Sequence, residues 1–135
     1  DRLLAYVWPD QPERLQRLEA ALALAAAAPP GVDRAGAADW LEAQLALAPE
    51  SGLARVVMDS IAFQYFDAAS QRRVTARIEA AGERASAAAP LAWLRYEQEP
   101  DSGRPSLRLR TWPGGEQLLA WAHPHGRSVQ WLGVD

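Results

Sequence analysis

Apolar residues recur at two different periods along the chain, and the change from one to the other comes at Pro90. Before it the spacing is mostly helical; after it side chains alternate as in half-buried strands. In residues 12–28, Leu15, Leu18, Leu22 and Ala25 return every three or four positions, with Glu13, Arg14, Arg17 and Glu19 turned to water. Asp10 or Gln11 can cap this helix, Pro12 suits its first turn, and Pro29-Pro30-Gly31 ends it. A second helix is predicted over 37–48, burying Trp40, Leu41 and Leu45. A third, over 68–87, is capped by Asp67 and buries Val74, Ile78, Ala81 and Ala85. Gly82 within it costs about 1 kcal/mol relative to alanine, which loosens its last turns. Residues 3–8 (LLAYVW) fit either a strand or the end of a helix.

The densest β-branched run, Val56-Val57-Met58, lies in residues 54–66 (ARVVMDSIAFQYF). It does not alternate, and it is bounded by Gly52 and by the polar pair Asp59-Ser60. That pattern predicts a strand buried on both faces at the centre of a parallel sheet, with Val57 among the most buried residues. Residues 32–36 are a short extended candidate, and 91–96 (LAWLRY) a second internal strand. Residues 107–112 alternate as Leu, Arg, Leu, Arg, Thr, Trp. With 117–122 and 128–132 they read as an antiparallel meander. Its turns are Pro113-Gly114-Gly115 and His123-Pro124-His125-Gly126, and a polar loop over 99–105 precedes it. The order implies one α/β domain over residues 1–135, parallel at first, with an antiparallel C-terminal extension.

Composition narrows the chemistry. All 14 basic residues are arginine, so Schiff-base lysines and a P-loop lysine are excluded. There is no cysteine, which excludes disulfide frameworks and thiolate metal sites. No apolar run approaches the ~20 residues of a membrane span, and cytoplasm is the default compartment. A net charge of -3 argues against nucleic acid as a partner. The chain lacks GxSxG, HExxH, GxGxxG and Walker motifs.

Four residues, Asp59, Ser60, Gln64 and Tyr65, would gather at the carboxyl end of the central strand, where ligands collect in open α/β sheets. The same Asp59-Ser60 pair could equally serve only to cap the following turn. His123 and His125 have strand spacing for metal ligation, but Pro124 and Gly126 place them in a turn and no third ligand is near. No metal is expected. His125 beside Arg127 remains a candidate for phosphate or substrate contact. Trp112-Pro113-Gly114-Gly115 reads as a hairpin turn, because a phosphate cradle needs a helix behind it and a strand follows.

The segments ARVVMDSIAFQYF, PLAWLRYE, LRTWPGGE and AHPHGRSVQWL, with LLAYVWPDQPERLQRL at the start, resemble a family of uncharacterised bacterial proteins known as a domain of unknown function. The resemblance covers essentially the whole chain. Members of that family are longer, and this chain resembles their C-terminal half. Their upstream half carries a glycine-containing segment similar to the nucleotide loop of Rossmann-like methyltransferases. The resemblance therefore implies a partial methyltransferase-like sheet, with 32–36 as its third strand, 54–59 as its fourth and 91–96 as its fifth. It implies S-adenosylmethionine as cofactor of the full-length protein, with none bound by residues 1–135 alone. In such sheets an acid after the third strand contacts the adenine; Gly36 stands at that place and Asp39 nearby is the candidate substitute. The function is otherwise open between a methyltransferase-like enzyme and a non-catalytic scaffold or interaction module. A sheet left without its neighbours would associate with itself through its uncovered edge, around Val56 and Trp93.

Overall fold

The structure is a computed structural model, and it describes residues 2–124 and 127–133. The chain divides into two compact units, residues 1–34 and 35–135. In the first, residues 3–8 form neither a strand nor the end of a longer helix but a single 3-10 turn, Leu4–Tyr6. It is followed by helix α1, Pro12–Ala27, with Pro12 in its first turn as the sequence suggests. The half-buried residues of α1, Leu18, Leu22 and Ala25, belong to the stripe that its spacing predicts, and Glu13, Arg14, Arg17 and Glu19 are exposed.

The second unit holds helix α2 (Ala37–Ala46), strand β1 (Arg55–Ser60) and helix α3 (Ala68–Gly82). Strands β2 (Leu91–Gln98), β3 (Pro105–Trp112), β4 (Glu116–Ala122) and β5 (Val129–Trp131) complete it. Asp67 caps α3 by accepting from the N–H groups of Ala69 and Ser70, each at 2.9 Å. The sheet runs in chain order from β1 to β5. Only β1 and β2 are parallel, joined through α3; every later pair is antiparallel. The meander is as its alternation predicts, and Pro113-Gly114-Gly115 turns β3 into β4, with Thr111 N–H donating to Gly115 O at 3.0 Å.

Three expectations are corrected. Residues 32–36 form no strand; a segment with Pro29, Pro30 and Gly31 before it and Gly36 within it has no ladder partner here. β1 is an edge strand rather than the centre of a parallel sheet, because nothing among the described residues pairs on its far side. The sheet is accordingly mixed and mostly antiparallel, with one parallel pair in place of a parallel core. Val57 is half-buried, packed on the helix side, while Val56 and Met58 on the other face are 63% and 64% exposed. A run of apolar residues signals burial only when both faces have covers, and α2 and α3 cover one. Trp93, expected near uncovered surface, is instead 4% exposed.

The core lies between that face and the helices: Leu41 and Leu45 of α2, Val74, Ile78 and Ala81 of α3, and Leu91 and Trp93 of β2. Trp40, expected in the α2 stripe, is 41% exposed. Helix α3 stops at Gly82, short of the predicted end at 87, and the glycine has a packing reason. A β-carbon there would lie 2.5 Å from Cδ2 and Cε2 of Trp112, so the indole of β3 occupies the space a side chain would need. Gly82→Ala is therefore expected to destabilise by up to about 2 kcal/mol. Overpacking costs about 1–3 kcal/mol, and the gain of about 1 kcal/mol in helix propensity offsets only part of it. Urea denaturation checks this: a stabilised Gly82→Ala variant would show that Trp112 yields freely.

Candidate functional site

β1 ends where the chain makes an unusual turn. Ile61 has φ 47°, a left-handed conformation that a β-branched residue adopts only when its surroundings impose it. Its N–H donates to Tyr96 O at 2.8 Å. The turn that follows, Phe63–Tyr65, aims successive backbone N–H groups at one side chain. Glu97 of β2 receives them: Ala62 N–H at 2.7 Å and Phe63 N–H at 3.0 Å on Oε1, and Gln64 N–H at 3.3 Å on Oε2. Three converging amides make a nest that suits an acceptor side chain.

Period two on β2 sets Trp93, Arg95 and Glu97 on the same face, toward the helices. Trp93 Nε1 donates to Asp59 Oδ2 at 2.6 Å, and Arg95 lies over the Trp93 ring at 4.5 Å. Asp59 is thus enclosed between Trp93, Arg95 and Glu97. Burial, and then the charge of Glu97, push its carboxyl up to about 6, against the opposing pull of the Trp93 hydrogen bond. Asp59 Oδ1 and Arg95 Nε are buried without a partner among the described residues.

On the adjoining strands, Arg108 Nε donates to Glu99 Oε1 at 2.6 Å, and Ser106 Oγ to the same oxygen at 2.5 Å. The Arg108 bond, foremost, holds the Glu99 carboxyl below the usual range. Arg95 Nη2 donates to Glu116 Oε2 at 2.5 Å, and Arg108 Nη1 stands 3.4 Å from Glu116 Oε1. These groups surround an open groove of about 720 Å³ at the carboxyl ends of β1 and β2, with Gln64, Tyr65 and Gln71 on its other wall. Gln71 Nε2 fixes that wall by donating to Phe63 O at 3.1 Å. Gln64 Oε1 accepts from Gln98 N–H at 3.3 Å.

Of the four residues expected at the end of β1, Gln64 and Tyr65 line the groove, Tyr65 with its side chain largely exposed. Asp59 lies behind the wall, against Trp93 and Glu97. Ser60 does not join them: strand alternation sends it to the opposite, exposed face. Asp39 sits in the first turn of α2 and forms an ion pair with Arg73 of α3 at 2.6 Å. His125 lies outside the described residues, and Arg127 is exposed beyond β4. Among the described residues no cluster of three or more metal-ligating side chains occurs, and no helix is long and apolar enough to cross a membrane.

The sequence reading missed Arg95, Glu97, Glu99, Arg108 and Glu116. Their signal was present in the alternation Trp93-x-Arg95-x-Glu97 and in Arg108 between Leu107 and Leu109. Here the polar half of the sheet face continues the core.

An acid with a raised folded-state value gives a definite pH dependence. Below about 4 Asp59 is protonated in both states and costs nothing. As pH rises through 6 it must ionise in a site that resists the charge, and stability falls. Asp59→Asn, which keeps an acceptor for Trp93, is expected to stabilise by about 1 kcal/mol above pH 7, once its partial exposure is allowed for. Near pH 4 the gain should vanish. Equal effects at both pH values in thermal melts would refute this.

Residues 1–131 match the model of one protein family, described as an uncharacterised protein conserved in bacteria, DUF2332. Neither a search of curated proteins nor one of solved structures gives a match.

Proposed function

We propose that this chain, which belongs to the bacterial DUF2332 family, carries a binding site for a small, polar, amine-bearing molecule in the groove at the carboxyl ends of β1 and β2. The carrying observation is the charge inventory of that groove: Glu97, Glu99 and Glu116 outnumber Arg95 and Arg108, and Asp59 lies behind them. Both guanidinium groups already face carboxylates, so the charge left over in the groove is negative and favours an added cation over an added anion. Gln64, Gln71 and Tyr65 supply uncharged hydrogen-bonding groups on the facing wall. The position supports the reading too, since ligands of α/β sheets gather at the carboxyl ends of parallel strands.

The test is a titration of the chain, followed by amide NMR, with ethanolamine, a polyamine, acetate and inorganic phosphate as separate probes. Shifts at Ala62, Phe63 and Gln64 are expected with the two amines, and loss of those shifts in Glu99→Gln. Binding of acetate or phosphate at the same amides, or no binding of either amine, would refute the site.

A methyltransferase-like sheet, with this chain as its C-terminal part, is the finer reading of the same groove, which would then be the substrate side. S-adenosylmethionine itself does not fit the residues present. Such a cofactor needs a glycine-rich turn after the first strand of its sheet, and the resemblance places that turn in the upstream half, β1 being only the fourth strand. Asp39, the candidate adenine contact, is engaged with Arg73 and follows no strand. Residues 1–135 are therefore expected to give no heat with S-adenosylmethionine in calorimetry, and micromolar binding would overturn the strand assignment.

A further inference from the structure

β1 has an open edge with a particular pattern of groups along it. Arg55 N–H donates to Pro90 O at 3.0 Å and Ile61 N–H to Tyr96 O at 2.8 Å, which fixes the phase of the parallel ladder. Arg55, Val57 and Asp59 therefore turn their N–H and C=O groups toward β2. Those of Val56, Met58 and Ser60 point outward. β1 (RVVMDS) contains no proline and no lysine, its pairing with β2 has no register shift, and Val56 and Met58 are exposed, while its two charges, Arg55 and Asp59, share the other face.

The strand is complementary to itself. When two copies run antiparallel about Val57, Val56 meets Met58 and Arg55 meets Asp59. Val56 and Met58 then form hydrogen-bonded pairs, since both direct their amide groups outward. Val57 with Val57, and Arg55 with Asp59, fall at non-hydrogen-bonded pairs, where side chains approach most closely. Centring the pairing on Met58 would also match the amides, but it sets Val57 against Asp59. Charge complementarity selects the first register. Arg55 uses two guanidinium nitrogens on Leu47 O and Ala48 O, and a guanidinium has five donor hydrogens in all. The same pairing continues the exposed Val56 and Met58 into an apolar strip shared by two sheets.

We propose that β1 pairs antiparallel with β1 of a second copy of this chain, about a two-fold axis at Val57, joining two five-stranded sheets edge to edge. The interface is isologous, and its short strand makes the association concentration-dependent rather than permanent.

Sedimentation velocity of the whole chain over a rising concentration series, with single-cysteine cross-linking, tests this. The chain has no cysteine of its own. In the proposed register the two Val57 Cα atoms lie about 4.5 Å apart, within disulfide range, and the two Met58 Cα atoms about 8 Å apart, outside it. Val57→Cys is therefore expected to form oxidised dimers at least tenfold faster than Met58→Cys. Arg55→Glu, which faces Asp59 with a like charge, should weaken the dimer at least tenfold more than Arg55→Gln, and both variants lose the same bonds to Leu47 and Ala48. A monomer at every concentration would overturn the proposal, the edge then belonging to some other segment of polypeptide. Faster cross-linking at Met58, or equal behaviour of the two Arg55 variants, would overturn the register on which it stands.

Discussion

Trp93→Ala is expected to destabilise the second unit by about 3–5 kcal/mol, the range for deleting a large aromatic side chain from a core. Trp93 is 4% exposed, packs edge-on against Phe63 with ring centroids 5.7 Å apart, and joins the cluster of Leu41, Val74, Ile78 and Leu91. Its indole also carries Arg95 on one side and donates to Asp59 at its rim. Core and groove therefore share this one side chain. Trp93→Phe separates the two roles. It keeps most of the ring contact and removes the N–H, leaving Asp59 Oδ2 without its donor in a half-buried site. The Phe variant should cost about 1–3 kcal/mol at neutral pH, the range for an unpaired buried polar group. It should cost less near pH 4, where a protonated Asp59 has no charge to leave unpaired. Urea denaturation at both pH values reads this; a Phe variant indifferent to pH would mean that the indole N–H does not stabilise the ionised carboxylate.

Glu97→Ala is expected to cost about 2–4 kcal/mol and to abolish amine binding. Three N–H groups lose their acceptor at once, and bonds to a charged partner contribute about 1.5–3 kcal/mol each. The total falls short of their sum because Ala62 N–H is exposed and water replaces the carboxylate there. Ile61 would then hold its left-handed conformation with less to impose it, so Ile61→Gly should recover part of the loss, glycine adopting that backbone without strain. Removing the neighbouring charge should also bring the Asp59 carboxyl down toward its usual range. Carboxyl NMR titration measures that shift, and denaturation the stability. An Asp59 unmoved in Glu97→Ala would show that burial alone raises it.

Local chemistry made much of the second unit legible. Asp67 before an alternating helix, the hairpin at Pro113-Gly114-Gly115 and the period-two run from Leu107 to Trp112 each carry their own signal. Each was where the residues placed it. Gln64 and Tyr65 at the groove were also legible, because the end of a strand can be read from where its apolar run stops. The resemblance in the scattered segments is matched by the family model over residues 1–131.

What a strand faces is not written in the strand. Val56-Val57-Met58 is apolar on both sides, and from that alone a central position follows; only the assembled sheet shows β2 on one side and nothing on the other. The exposed Trp40 fails as a burial signal for the same reason, since periodicity names a face and not its cover. The groove is further still from the sequence. Glu97 meets the amides of 62–64 across a separation of 33–35 residues, and Arg95 meets Glu116 across 21. Such contacts depend on register between strands and on a turn bent at Ile61. The sequence by itself determined the elements and the sides they could bury; the tertiary structure decided which sides were covered and which charges met, because strand pairing and packing are long-range choices that no local spacing encodes.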